Sequence, residues 1–247
     1  MHYNASVTDF FKSPKWGMNL LLGAVAVLIP VIGPLVLGGW HVTGFWARGH
    51  EPDPAKFPPF DFQYFGKYLE RGLCPFLVNL AAALVLIPLI MCLMIPLFVF
   101  IGILGPGIHQ DDHALTFGLL LTGMIILQFG LMLIYQLIIT PLMIRATLTQ
   151  DFKSTFSVRF VIDFLSLVWK EQVVTMFYMF GLGLCLMLIS IVTCYIGMFF
   201  AASISIFSWH HLQKQVYQLY LSRGGLPIAL SPKLQDVPPQ LPAASFL

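Results

Sequence analysis

Residues 113–144 read HALTFGLLLTGMIILQFGLMLIYQLIITPLMI, a run without a single Lys, Arg, Asp or Glu. It is longer than the ~20 apolar residues that one membrane crossing requires. Three more charge-free runs share the chain, at 17–47, 72–110 and 172–213. Hydrophobic residues make up 58% of the sequence and charged residues only 10%, with a mean hydropathy of +0.84. A water-soluble fold carries about 25% charged residues, so this composition predicts an all-α membrane protein forming one domain. The net charge of +2, with basic residues scattered between apolar blocks, gives no footprint for nucleic acid.

The number of crossings follows from where the charges fall. All thirteen Lys and Arg lie in four places: Lys12 and Lys15; Arg48, Lys56, Lys67 and Arg71; Arg145, Lys153, Arg159 and Lys170; Lys214, Arg223 and Lys233. The connector at Asp111 and Asp112 has none. One crossing per block would put the two most basic loops on the side opposite the N-terminus, against the positive-inside rule. If the first and last blocks are each helical hairpins, every positive charge shares one side. The expectation is therefore about six transmembrane helices as three hairpins, at 16–30, 32–47, 73–104, 114–144, 172–193 and 197–214. Both termini are then cytoplasmic, in the cell (inner, cytoplasmic) membrane.

Turn chemistry agrees. Ile29-Pro30-Val31-Ile32-Gly33-Pro34 sits at the middle of the first block, Thr193-Cys194-Tyr195-Ile196-Gly197 at the middle of the fourth, and Gly105-Pro106-Gly107 ends the third span. Ser13-Pro14 reads as an N-cap with Pro at the first helical position. The apolar N-terminal run continues to Trp46 without a convincing cleavage site, which reads as a retained anchor. Its first span is short: residues 16–30 cover about 22 Å against a hydrocarbon core of ~30 Å. The hairpin either crosses or is a re-entrant wedge, and charge does not separate the two.

Two stretches, Phe60 to Arg71 and Phe156 to Leu165, predict amphipathic interfacial helices. In the first, Tyr64, Phe65, Tyr68 and Leu69 share a face opposite Lys67, Glu70 and Arg71; in the second, Phe156, Phe160, Phe164 and Val168 align. The chain then divides into an N-terminal segment at 1–15, a membrane domain at 16–223 and a Pro-rich flexible tail at 224–247. A weak threefold repeat, 3–46, 60–148 and 156–220, is legible within it.

No carboxylate lies inside a charge-free block, which argues against acid-coupled transport. The intramembrane polar residues Asn79, Thr122, Gln128, Gln136, Ser190 and Thr193 are of the kind that bond between helices. Of these, Asn79, Gln128 and Gln136 form the candidate polar path. Gly181, Gly183 and the pair Gly197 and Ala201 are candidates for close helix contact. His109, Asp111, Asp112 and His113 offer metal-ligating groups on one connector, although adjacent ligands rarely all reach one ion. His210 and His211 read as interfacial. The four cysteines, Cys74, Cys92, Cys185 and Cys194, each sit in apolar sequence and act there as small hydrophobes. With no nucleophile motif, paired carboxylates or phosphate-binding loop, neither an enzyme nor a cofactor is expected.

Lys15-Trp16-Gly17-Met18-Asn19, Ile29 to Val36, Phe60-Asp61 and Tyr68-Leu69-Glu70-Arg71-Gly72-Leu73 resemble the prokaryotic integral membrane proteins grouped as domain of unknown function 4013. Cys194-Tyr195-Ile196-Gly197-Met198-Phe199-Phe200, then His211, Gln215, Tyr217 and Arg223-Gly224-Gly225, continue the likeness over about residues 10–225. Related hairpins often carry Pro or a second Cys where this chain has Thr193 and Tyr195. The resemblance implies a multi-span bacterial or archaeal membrane protein without an assigned activity, cofactor or catalytic residue. The expected function is a non-enzymatic component that organises its bilayer or supports a complex. Its expected partners are the lipid bilayer, a membrane protein or a second copy of the chain. The alternative is a permease or channel-like carrier for an uncharged or lipidic substrate.

Overall fold

A computed structural model describes residues 1–47, 57–104 and 114–235, which among themselves are all-helical. Six helices carry the fold: α1 (Trp16–Val27), α2 (Ile32–Phe45), α3 (Phe65–Leu104), α4 (Ala114–Thr149), α5 (Val158–Val192) and α6 (Gly197–Ser222). They pack as sequential pairs, α1 on α2, α3 on α4 and α5 on α6, with α2 also held by α3 and α6. Among the described residues, three stretches are long and apolar enough to cross a membrane: Phe62–Pro96, Leu121–Thr149 and Val158–Val192. The six spans expected from the charge pattern are not shown. With 12 and 14 residues, α1 and α2 extend only about 18 and 21 Å at the helical rise.

Both expected hairpin turns form. Between α1 and α2, Val31 adopts φ 66° and ψ −59°, and the Ile32 N–H donates to the Pro30 carbonyl at 2.7 Å, a strained three-residue γ-turn. Between α5 and α6, Cys194 and Tyr195 take φ 51° and 66°, and the Thr193 hydroxyl accepts from the Gly197 N–H at 3.0 Å. The Ser13 cap is displaced: α1 begins at Trp16, the Ser13 carbonyl accepts from the Trp16 N–H, and the Ser13 hydroxyl accepts from Asn19 Nδ2.

Bare backbone lets the helices meet. A Cβ on Gly39 of α2 would lie 1.7 Å from the Tyr68 carbonyl oxygen of α3, and one on Gly72 of α3 would lie 2.0 Å from the Leu35 carbonyl oxygen. Gly23 of α1 is similarly tight against Ser203 of α6. The glycines expected at contacts are elsewhere in the structure: Gly181 and Gly183 have open space beside them, and Gly197 is crowded by its own preceding turn at Thr193 and Ser190.

Proline leaves gaps that glutamine fills. Pro75 in α3 and Pro141 in α4 have no N–H, so the carbonyls four residues back, Arg71 and Leu137, lose their helical donors. Gln150 Nε2 donates to the Arg71 carbonyl at 3.1 Å, and Gln172 Nε2 donates to the Leu137 carbonyl at 3.1 Å and the Gln136 carbonyl at 3.0 Å. Gln172 is fully buried to do so.

The segments read as interfacial helices become the first turns of α3 and α5, the latter kinked at Val168 (φ −135°, ψ 15°). Phe160, Phe164 and Val168 do share a face, but it is buried in the protein core, with Phe160 edge-on to Tyr220 and Phe164 tilted against it. Arg71, expected on a polar face, is 2% exposed. The tail is docked as far as Gln235. Leu226 and Ile228 donate N–H to the Tyr220 and Tyr217 hydroxyls, Ser231 donates to the Leu148 carbonyl, and Leu234 is buried against Val42 and Ala47.

Replacing Gly39 by Ala forces α2 from α3, and overpacking of this kind costs about 1–3 kcal/mol or more. Thermal unfolding in detergent should show a large drop for Gly39→Ala and none for Gly38→Ala, whose neighbouring space is open. Gln172→Leu should cost about 1 kcal/mol by stranding the Leu137 carbonyl. That cost should shrink in a Pro141→Ala background, where the backbone N–H returns, and a double-mutant cycle reads the difference.

Candidate functional site

The densest polar chemistry lies where the N-terminal segment, α2 and α6 converge. Polar groups this far from water are normally hydrogen-bonded, and each exception asks for a reason. His41 of α2 and His210 of α6 stack with ring centroids 5.3 Å apart and planes 18° apart. Phe45 and Phe207 close around His41. Neither His41 Nε2 nor His210 Nδ1 has a hydrogen-bond partner among the described residues. His210 and His211, expected to be interfacial, are both packed inside this junction, His210 against His41 and His211 against Phe45 and the N-terminal segment.

One residue along, a chain of bonds anchors the N-terminus. Lys12 donates to Asp9 at 2.7 Å, Asp9 lies 3.2 Å from His211 Nε2, and Gln215 Nε2 is 2.9 Å from His211 Nδ1. Gln215 also exchanges two bonds with the His2 backbone, at 2.6 and 3.1 Å. Since Gln215 donates to Nδ1, the ring of His211 is neutral with its proton on Nε2, aimed at the Asp9 carboxylate. Both ring nitrogens are engaged, so this Asp–His pair ties the N-terminal segment to α6. Ser208 adds a bond to the Ser6 carbonyl at 3.1 Å.

Lys214 is buried and donates to the Phe45 carbonyl at the end of α2, where a cation offsets unsatisfied carbonyls. It also lines a cavity of about 100 Å³ with Trp46, Leu148, Tyr217, Gln218, Ile228 and Leu230. Burial holds the Tyr217 phenol above its ordinary value, so it stays protonated beside the Ile228 N–H it accepts.

The candidate polar-path residues fall outside this junction. Asn79 Oδ1 accepts from the Tyr135 hydroxyl at 3.2 Å across α3 and α4, the backbone of Gln136 receives Gln172, and Gln128 is half-buried earlier in α4. His109, Asp111, Asp112 and His113 lie outside the described residues. Among the described residues, no three His, Cys, Asp or Glu side chains gather into a metal-ligating group. His41 and the Asp9–His211 pair went unread because their partners lie in distant segments. The only local signal was the doublet His210-His211.

No curated protein and no solved structure matches the chain. The family described as Protein of unknown function (DUF4013) matches residues 22–195, most of the sequence, and the chain belongs to that family.

Proposed function

We propose that this chain is a multi-pass integral membrane protein, with both termini on the cytoplasmic side of the cell membrane, that organises its bilayer or supports a membrane complex without catalysing a reaction. One observation carries the reading: the three long helices expose apolar side chains along their length, with Val85 73%, Ile125 69% and Val192 83% exposed. A surface of that extent in water would be an aggregation site, whereas hydrocarbon solvates it.

Contacts among the basic segments support a shared cytoplasmic face. Arg71 bonds to the Lys233 carbonyl, Arg145 to the Ser154 carbonyl, Arg223 to Glu171 and the Leu167 carbonyl, and Lys233 to Glu70. The positive-inside rule places such a face in the cytoplasm. In this reading α3, α4 and α5 cross, and α6 returns the chain along α5. Asn79 and Gln136 spend their polar groups, side chain and backbone respectively, on bonds between helices. That use fits a packed scaffold better than a substrate path.

The protein should stay with the membrane pellet after alkaline carbonate extraction, and release into the supernatant would remove the membrane reading. A deletion strain should change either membrane shape or the native-gel profile of membrane complexes. If both are unchanged, the organising role is rejected.

A further inference from the structure

The α1–α2 hairpin has two unlike sides. One side of α1 buries Asn19, Gly23 and Ala24, with Gly23 pressed on Ser203 of α6, and α2 is enclosed by α3 and α6. The other side of α1 presents Met18, Leu21, Val25 and Leu28 at spacings of three, four and three. The stripe continues over the turn at Val31, and each of these residues is about half exposed. An apolar row at helical spacing with no protein against it needs an apolar neighbour.

Three observations select that neighbour. The stripe is short: α1 has 12 residues, about 18 Å, which suits one leaflet of a ~30 Å hydrocarbon core and not both. Its base carries interface chemistry, an edge-to-face pair of exposed aromatics, Phe11 and Trp16, 5.4 Å apart, which in sequence flank the exposed lysines Lys12 and Lys15. Aromatic rings favour the headgroup level and lysines favour anionic headgroups. The turn itself is poor in free donors. Pro30 has no N–H, and the N–H groups of Leu28, Ile29, Ile32 and Gly33 are all bonded inside it, to Val25, Ala26, Pro30 and Ile29.

We propose that the α1–α2 hairpin is a wedge that enters one leaflet from the cytoplasmic side and returns. Its outward stripe contacts acyl chains, and Phe11, Lys12, Lys15 and Trp16 sit among anionic headgroups. This rests on the membrane reading above. A wedge in one leaflet widens that leaflet alone, so it supplies a physical route from this fold to membrane shape.

The test uses the full chain with its native cysteines replaced, carrying Val31→Cys, Leu28→Cys or Lys15→Cys and reconstituted in vesicles of phosphatidylcholine and phosphatidylglycerol. A membrane-impermeant maleimide is applied from each side in turn, and a fluorophore on the cysteine is read against lipids with quenchers at known chain depths. Lys15→Cys should label from one side only. Val31→Cys and Leu28→Cys should label from neither and be quenched most strongly by a deep quencher in the leaflet on the Lys15 side. Labelling at Val31 from the side opposite Lys15 would overturn the wedge in favour of a full crossing. Labelling from the same side as Lys15 would overturn it by placing the hairpin in water. Protein that fails to float with the vesicles would reject the membrane reading itself, and the wedge with it.

Discussion

The crossing of α2 on α3 at Gly39 and Gly72 is the constraint on which the rest of the structure depends. Only because neither residue carries a Cβ can the two backbones approach this closely. The approach then lets Arg71, next to Gly72, reach the Thr43 hydroxyl of α2 at 3.0 Å and the Lys233 carbonyl of the tail at 2.9–3.1 Å. A guanidinium with 2% exposure is tolerable only when its donors are used. Its own backbone carbonyl, released by Pro75, takes Gln150 from the end of α4. One residue thus joins α2, α3, α4 and the tail.

The same economy governs the paired helices. Association in a bilayer lacks the hydrophobic drive available in water, so it leans on close packing of small residues and on bonds between helices. Proline supplies the second by leaving an acceptor where a helix normally consumes it. Gln150 and Gln172 each convert such a gap into a link between elements. A proline that would weaken an isolated helix here specifies which neighbour it takes.

Much of the helical layout was legible in the sequence because it is written in local terms. Charge-free runs mark the long helices, and Pro30 and the 193–197 segment mark the turns, each within a few residues of where the chain bends. The interfacial reading of Phe156 to Leu165 found the right face and the wrong neighbour. Periodicity says that Phe160 and Phe164 point the same way, but not whether lipid or Tyr220 meets them. Arg71 was assigned to the polar face for the same reason, since nothing within a few residues of it indicates that Thr43 and Lys233 wait in separate segments. The His41–His210 stack joins residues 41 and 210, and no local pattern encodes such a meeting.

The distribution of polar contacts has a mechanical consequence. Hydrogen-bonded side chains tie the N-terminal segment, the ends of α2 and α4, the start of α3 and the tail. Farther along α3 and α4 the surface is almost wholly apolar, Leu84 and Ile126 among many exposed side chains. Hydrogen bonds fix geometry, whereas apolar contacts with lipid exchange freely and fix none. A fold built this way has one specified end and, in the membrane reading proposed above, helices whose outer surface would adapt to the lipid around them. The half-exposed stripe of α1 begins at that specified end, beside Lys12 and Lys15. In the wedge proposed above, its insertion would bear on α6 at Gly23 and Ser203 and on α2 at Gly33.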